Sequence, residues 1–420
     1  MKKELKKIII VNYRYFLSGG PEQYMFNFIE LAKSKGVEII PFSVNFKRNV
    51  HSDYSNYFAS PPAGQNNINF AEMKKNPLSL FRIFINAIYN FEAKRKLSKL
   101  IQKVKPDLVY IIHQSVTLSP SVIDAAKKYK VPLIHRISDF NMVCPQNKLL
   151  RKESYCDLCL KGKYFNAVKY KCVQDSTAAS TLRALSLYIH RKTKIYQRVD
   201  AFIATVNSTR DLLIEDGILT SDKIVTINTF IDTELIKPTY QFDNYVLALG
   251  RLHDEKGFFY AVKAMNNLKN TDIKLVITGN LIENSNIDNY IKLNNLQNNI
   301  VFTGFLDKDS AKKLLSNCLV VISPSIWIEN LPNVVIESFA HGKSVIGSNF
   351  GSYLEIIDDN VNGFLVNPKS PEQISDKILN LYNNKLLAEE MGRNARQKAE
   401  LRFNKELHWN SFLELYYKIT

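Results

Sequence analysis

The chain has 420 residues, 45% of them hydrophobic, with 56 Lys+Arg against 40 Asp+Glu and a formal charge of +16. That length exceeds one ordinary hydrophobic core, and the composition excludes a collagen-like, disordered or many-spanning membrane chain. The excess charge lies in one half: residues 1–240 carry 37 Lys+Arg against 20 Asp+Glu, residues 241–420 carry 19 against 20. This asymmetry implies an anionic partner for the first half (a membrane surface, a phosphorylated lipid or nucleic acid), unless it is simply a basic solvated surface.

The opening "MKKELKKIIIVNYRY" has basic residues before an apolar run, but four residues of IIIV are too few for a signal-peptide core, so a buried first strand is expected. No run of 18 apolar residues follows anywhere, and nothing reads as a membrane span. The runs "VEIIPFSV", "PDLVYIIH", "VPLIHRI", "DAFIATV" and "KIVTINT" continue the series. After residue 243 the rhythm restarts with "YVLALG", "IKLVITG", "NIVFTG", "LVVISP" and "KSVIGS". Continuous apolar strands separated by helical segments predict an α/β chain with two doubly wound, Rossmann-like parallel-sheet domains. Between the strands, "PPAGQNNINF" (61–70) reads as a loop, and "PLSLFRIFINAIYNFEAKRKLSKLIQKVK" (77–105) as helix. At helical spacing Phe81, Phe84, Ile88 and Phe91 form a core face, while its basic tail and "IHRKTKIYQR" (189–198) also suit an anionic membrane surface.

Ligands of open α/β sheets bind beyond the carboxyl ends of the strands. That rule selects Gly19 and Gly20, His113, Ser138 and Asp139, Arg251 to Lys256, Gly279, Gly304 and Glu329. Arg251 offers a planar fork and Lys256 a mobile point charge, a combination suited to a diphosphate whose charge grows as its ester bond breaks. In "SPSIWIENLPNVVIESFAHG" a helix is expected from about Asn333, leaving Glu329 in a loop between Pro324 and Pro332 and Glu337 near a helix start. Two carboxylates there can hold two different sugars, whereas compensation of the helix dipole accounts for Glu337 alone.

"GRLHDEKG", "VITGN", "VFTGFL" and "SPSIWIENLPNVVIESFAHGKSVIGSNFGSYLEIIDDNVNGFLVNP" resemble the C-terminal domain of family 4 (group 1) retaining GT-B glycosyltransferases. Glu329 and Glu337 match that family's E-x7-E motif, and "SGGPEQYMFNFIELAKSKG" resembles its glycine loop and first helix. The resemblance implies two domains facing across a cleft that holds the active site: 1–236 for the acceptor, 237–402 for the nucleotide-sugar, and a last helix (403–420) packing back on the first. It implies that Arg251 and Lys256 bind the donor diphosphate and that Glu329 touches the donor sugar beside the Asn330–Leu331 backbone. Glu337 would hold the ribose, Gly19 and Gly20 would let the backbone approach phosphate or acceptor, and Gly279, Gly304 and Phe305 would lie on the donor side, with "TGF" (303–305) by the base. "VPLIHRISDFNMVCP" resembles the family's His-Asp segment, but Ser138 stands where many relatives carry His before Asp139. The residue assisting the acceptor is then open among His113, His135 and Ser138.

Cys144, Cys156, Cys159 and Cys172 have the ligand count of a structural four-thiolate zinc site, the alternative being reduced thiols in a cytoplasmic protein. No cofactor is expected for catalysis. The function expected is retaining transfer of a sugar from a UDP- or GDP-sugar to a saccharide or lipid-linked acceptor, as in bacterial surface polysaccharide or glycolipid synthesis. The setting expected is the inner face of a membrane, with no nucleic-acid partner. A GT-B nucleotide-sugar epimerase would instead isomerise donor alone. A non-catalytic membrane or nucleic-acid-binding module would ignore nucleoside diphosphates.

Overall fold

A computed structural model describes residues 3–61 and 77–420, and the side chains of helix Pro77–Ile88 from Ile83 onward. The 61–70 loop expectation falls almost wholly outside the described residues, as does the Phe81 side chain. The chain divides into two compact units: Met1–Leu149, Cys156–Ile227 and Trp409–Thr420 form unit 1, and Leu150–Tyr155 with Asn228–His408 form unit 2.

Unit 1 is built on β1 (Lys7–Asn12), β2 (Glu38–Phe42), β3 (Leu108–His113) and β4 (Leu133–Arg136). The chain then makes the short antiparallel hairpin β5 (Leu150–Arg151) and β6 (Ser154–Tyr155), which groups with unit 2, before β7 (Ala201–Ala204) and β8 (Ile224–Thr226). The sheet runs β2-β1-β3-β4-β7-β8, parallel throughout. Ile8 to Val11 are fully buried, as a strand covered on both faces requires. Helix Gly20–Ser34 starts with proline in its first turn and buries Tyr24, Phe28 and Leu31. Trp409 and Phe412, from the end of helix Lys405–Ile419, pack on Phe28 with ring centroids 6.1 and 4.9 Å away.

The expected aromatic core face of the 77–105 segment is corrected. Two helices, Pro77–Ile88 and Phe91–Val104, break at Asn90, whose side chain caps the second. Ile83 and Ala87 take the buried positions, while Phe84 and Phe91 are exposed. Phe84 is already off the face that Ile83 and Ala87 bury within the first helix, and Phe91 stands beyond the break, at the start of the second.

Unit 2 holds β9 (Tyr245–Ala248), β10 (Lys274–Ile277), β11 (Ile300–Phe302), β12 (Val320–Ser323), β13 (Val345–Ser348) and β14 (Gly363–Val366). Its sheet runs β11-β10-β9-β12-β13-β14, again all parallel. All eleven apolar runs became strands; β14, from "GFLV", was not among them because a glycine and short flanks hide it. The core is a layer of Val246, Leu275, Ile277, Val320 and Ile346, sealed by helices Phe258–Ala264 and Pro371–Asn383. In this strand order the chain winds outward both ways from β9 and β12. The topological switch point, where doubly wound sheets open a crevice for ligands, therefore lies at the ends of those two strands.

Candidate active site

The loops leaving β9 and β12 are tied together before any side chain is considered. The Ile326 amide donates to the Glu255 carbonyl at 2.9 Å, and the end of β9 is also tied to that of β10, where Gly250 N–H donates to Thr278 Oγ1 at 2.9 Å. A turn at Asp254–Lys256 ends on Gly257 with φ 69°, and a Cβ there would lie 2.0 Å from the Pro324 carbonyl oxygen. Only glycine permits this approach of the two loops.

The approach brings Lys256 Nζ to 2.7 Å from Glu329 Oε1, with the lysine side chain 22% and the glutamate 8% exposed. Ser325 Oγ donates to the same carboxylate oxygen at 2.6 Å. Tyr353 OH, bonded to Ser323 Oγ at 2.6 Å, completes a buried polar row beneath it, and burial together with Glu329 raises the tyrosine's pKa. A carboxylate buried to this degree needs such partners, because an unpaired charge in that position is costly. Arg251 leaves the same strand end exposed to solvent.

Helix Asn333–Ala340 begins after Pro332, whose side chain makes no capping hydrogen bond, while its carbonyl accepts the Val335 amide at 3.0 Å. Glu337 sits in its second turn, partly buried, and burial pushes its carboxyl up to about 7 against a small opposing pull from Lys308. Among the described residues no ion pair joins Arg251 or Glu337 to the Lys256–Glu329 couple. Gly279 (φ 111°) and Gly304 (φ 71°) exchange backbone hydrogen bonds of 2.9 and 3.2 Å across the ends of β10 and β11. Phe305, next in sequence, is 89% exposed.

Unit 1 carries a second polar cluster at the ends of β1, β3 and β4. His113 Nε2 lies 3.1 Å from Asp139 Oδ2, and Asp139 Oδ1 accepts the Asn141 amide at 3.0 Å. Burial alone would lower the His113 pKa, but Asp139 and, more weakly, Glu22 outweigh it and raise it. Burial alone would raise Asp139, and His113 outweighs it and lowers it. The two shifts agree on an ion pair. A shallow hollow with room for about one water is lined by His113, His135, Ser138, Asp139 and Asn141.

The alternatives left open by sequence separate here. Ser138 donates to the Ile112 carbonyl at 2.6 Å. His135 is buried, its ring 5.4 Å from Phe202, and burial pushes it down to about 3, so it stays neutral as a packing residue. Gly19 is in extended conformation, and a Cβ there would meet only ordinary contacts, so the glycine is not demanded by the chain itself. Sequence reasoning missed buried Glu22, which accepts from Asn12 Nδ2 at 3.3 Å and Ser18 Oγ at 3.0 Å. Its position three residues after Gly19, in the first turn of a helix at a sheet switch point, is the trace it left in the sequence.

The four cysteines of the zinc expectation all lie in unit 1. None of the four is in a disulfide, and Cys159 is pushed up to about 12 by burial and, less strongly, by Cys144, Cys172 and Cys156. The thiols are thus within electrostatic reach of one another. Among the described residues, however, no group of three or more His, Cys, Asp or Glu side chains is arranged to hold a metal ion.

Residues 233–398 match the family model described as "Glycosyl transferases group 1". A Klebsiella pneumoniae protein described as an uncharacterized 42.6 kDa protein in the cps region is 27% identical over 286 residues, 67% of this chain and 68% of its own. An uncharacterized glycosyltransferase of Methanocaldococcus jannaschii is 34% identical over 33% of this chain and 36% of its own. The capsular polysaccharide biosynthesis glycosyltransferase CapM of Staphylococcus aureus is 27% identical over 41% of this chain and 46% of its own. The match thus spans about two thirds of the first relative and less than half of the other two. Among solved structures, sucrose-phosphate synthase from Thermosynechococcus elongatus superposes with a TM-score of 0.71 at 16% identity over 99% of both chains. Anabaena HepE in complex with UDP and glucose superposes at 0.64 and 15% identity, over 97% of this chain and 98% of its own. The fold is GT-B, and the domain match supports a group 1 glycosyltransferase.

Proposed function

We propose that this chain is a retaining glycosyltransferase that moves a sugar from a nucleotide-diphosphate donor to a saccharide or lipid-linked acceptor at the inner face of a membrane. The observation that carries the reading is the Lys256–Glu329 couple, held by Gly257 and Ser325 at the switch point of a parallel sheet whose next helix has no side-chain cap. In this reading the bond from the anomeric carbon to the diphosphate breaks with its electron pair leaving on the phosphate oxygen. Arg251, Lys256 and the first-turn amides at Asn333 stabilise that growing charge. Glu329 accepts hydrogen bonds from the donor sugar, and Glu337 from the ribose. In unit 1 the Asp139 carboxylate, steered by His113, orients the acceptor hydroxyl. Anabaena HepE, solved with UDP and glucose, supports a uridine donor. Names such as CapM and the cps-region protein support surface polysaccharide synthesis.

The test is a transfer assay with labelled UDP-, GDP- and ADP-sugars and membrane extracts as acceptor source. Labelled sugar passing to an acceptor, abolished in Arg251→Ala and in Glu337→Ala, is the expected result. Wild-type rates in either folded variant overturn the donor-site assignment, and isomerised donor without transfer identifies an epimerase.

A further inference from the structure

Outside the two polar clusters, unit 1 carries an unusual surface on residues 156–198, where nine Lys+Arg stand against two Asp. Helix Thr177–Lys192 buries Ser180, Ala184 and Leu187 against Cys159, Tyr164 and Ala167, a small apolar core of its own. Tyr164 is buried in that core, and Phe165 and Tyr188 are left outside it. Phe165 is 50% and Tyr188 42% exposed, with ring centroids 6.1 Å apart, so they form one apolar surface. Leu158 and Tyr170 are exposed in the same segment. Lysines accompany the rings: Lys192 Nζ lies 5.6 Å from the Tyr188 centroid and Lys169 Nζ 5.4 Å from that of Tyr170.

The segment is also rigidly anchored. Arg191 pairs with Asp216, whose side chain is fully buried, and donates to the Asp216 carbonyl at 2.7 Å. The Lys161 amide donates to the same carboxylate. Helix Pro77–Ile88 docks alongside, its Ala87 carbonyl accepting Ser186 Oγ at 2.6 Å and its Ile88 carbonyl lying 2.7 Å from His190 Nε2, and it leaves Phe84 exposed. A fixed array of amphipathic rings set among ammonium groups matches the headgroup layer of an anionic bilayer. There the rings enter the apolar boundary and lysine stems lie along it with their charges in the phosphate layer.

We infer that residues 158–194 are the membrane-docking face of this chain and that they bind the surface of an anionic phospholipid bilayer. The inference deepens the membrane setting of the proposed function by naming the surface and the lipid charge it requires. It is independent of the donor-site residues.

The test is co-sedimentation of the full chain with phosphatidylglycerol-rich vesicles and with vesicles of phosphatidylcholine alone. The wild type is expected to partition onto the anionic vesicles, more weakly as salt rises, and not onto the neutral ones. Each lysine near such a surface contributes about fivefold in partitioning, so replacing Lys163, Lys169 and Lys171 together by Gln lowers it about a hundredfold. Phe165→Ser with Tyr188→Ser is expected to remove the part that persists at high salt. Far-ultraviolet circular dichroism and thermal melts verify that these exposed substitutions leave the fold intact. Unchanged binding by either folded variant, equal binding to both vesicle types, or preferential binding to single-stranded RNA overturns the inference. A thermal-shift titration with UDP runs beside it: no response to UDP counts against the glycosyltransferase reading and leaves the vesicle result standing.

Discussion

The burial of Glu337 should cost stability, and pH exposes the cost. Its carboxyl is raised from 4.5 to about 7 by burial within helix Asn333–Ala340. Between those values the folded protein holds a proton that the unfolded chain has released, so folding takes up a proton. Stability then falls as pH rises from 4.5 to 7 and levels off above 7. A displacement of this size corresponds to about 3 kcal/mol at pH 8. Glu337→Gln keeps the shape and removes the ionisable group. The variant is expected to match the wild type near pH 4.5 and to exceed it at pH 8, by about 6–10 °C in melting temperature for a unit of this size. The assay is a pair of melting series from pH 4.5 to 8.5, followed at each pH by titration with UDP. Nucleotide affinity should fall in the variant while stability rises, the trade-off expected where function keeps a strained group in place. Parallel melting curves with no pH-dependent gap would refute the argument that burial alone sets this carboxyl.

Two further outcomes follow from the geometry. Gly257→Ala places a methyl group against the Pro324 carbonyl and adds strain at φ 69°; we expect a loss of more than about 2 kcal/mol in stability with donor turnover lost, read by urea unfolding and the transfer assay. His113 has a pKa raised from 6.5 and Asp139 one lowered from 3.8, so their pair stabilises fully between those two ordinary values and loses that contribution outside them. His113→Asn should therefore be less stable than the wild type near pH 6. The gap should narrow as pH climbs through the raised histidine value, and melts at pH 6 and 8.5 check it.

Much of the fold was legible because parallel strands buried on both faces leave unbroken apolar runs, and eleven such runs stand in the chain. The loops of the candidate site were legible for a related reason. Gly257, Lys256 and Glu329 mark the ends of β9 and β12, and the spacing of Glu329 to Glu337 carries a family pattern. What stayed hidden depends on which strands are neighbours. His113 meets Asp139 only because β3 lies beside β4, and Glu22 turns inward only because its helix packs at the end of β1. The hairpin β5–β6 was hidden as well. It is two residues per strand, turned by Lys152 and Glu153 at positive φ, and Glu153 reaches Lys369 at 3.1 Å, over two hundred positions away. The aromatic stripe of 77–105 failed on local grounds: the first helix buries Ile83 and Ala87 rather than Phe84, and Asn90 caps a separate second helix that starts at Phe91.

The central claim is that cationic groups at the end of β9 bind the diphosphate of a nucleotide donor beside Glu329. Titration calorimetry of UDP against the wild type, Arg251→Ala and Lys256→Ala tests it most directly. A charged hydrogen bond to phosphate contributes about 1.5–3 kcal/mol, so each variant should bind at least about tenfold more weakly while remaining folded. Equal dissociation constants for all three proteins would contradict the claim.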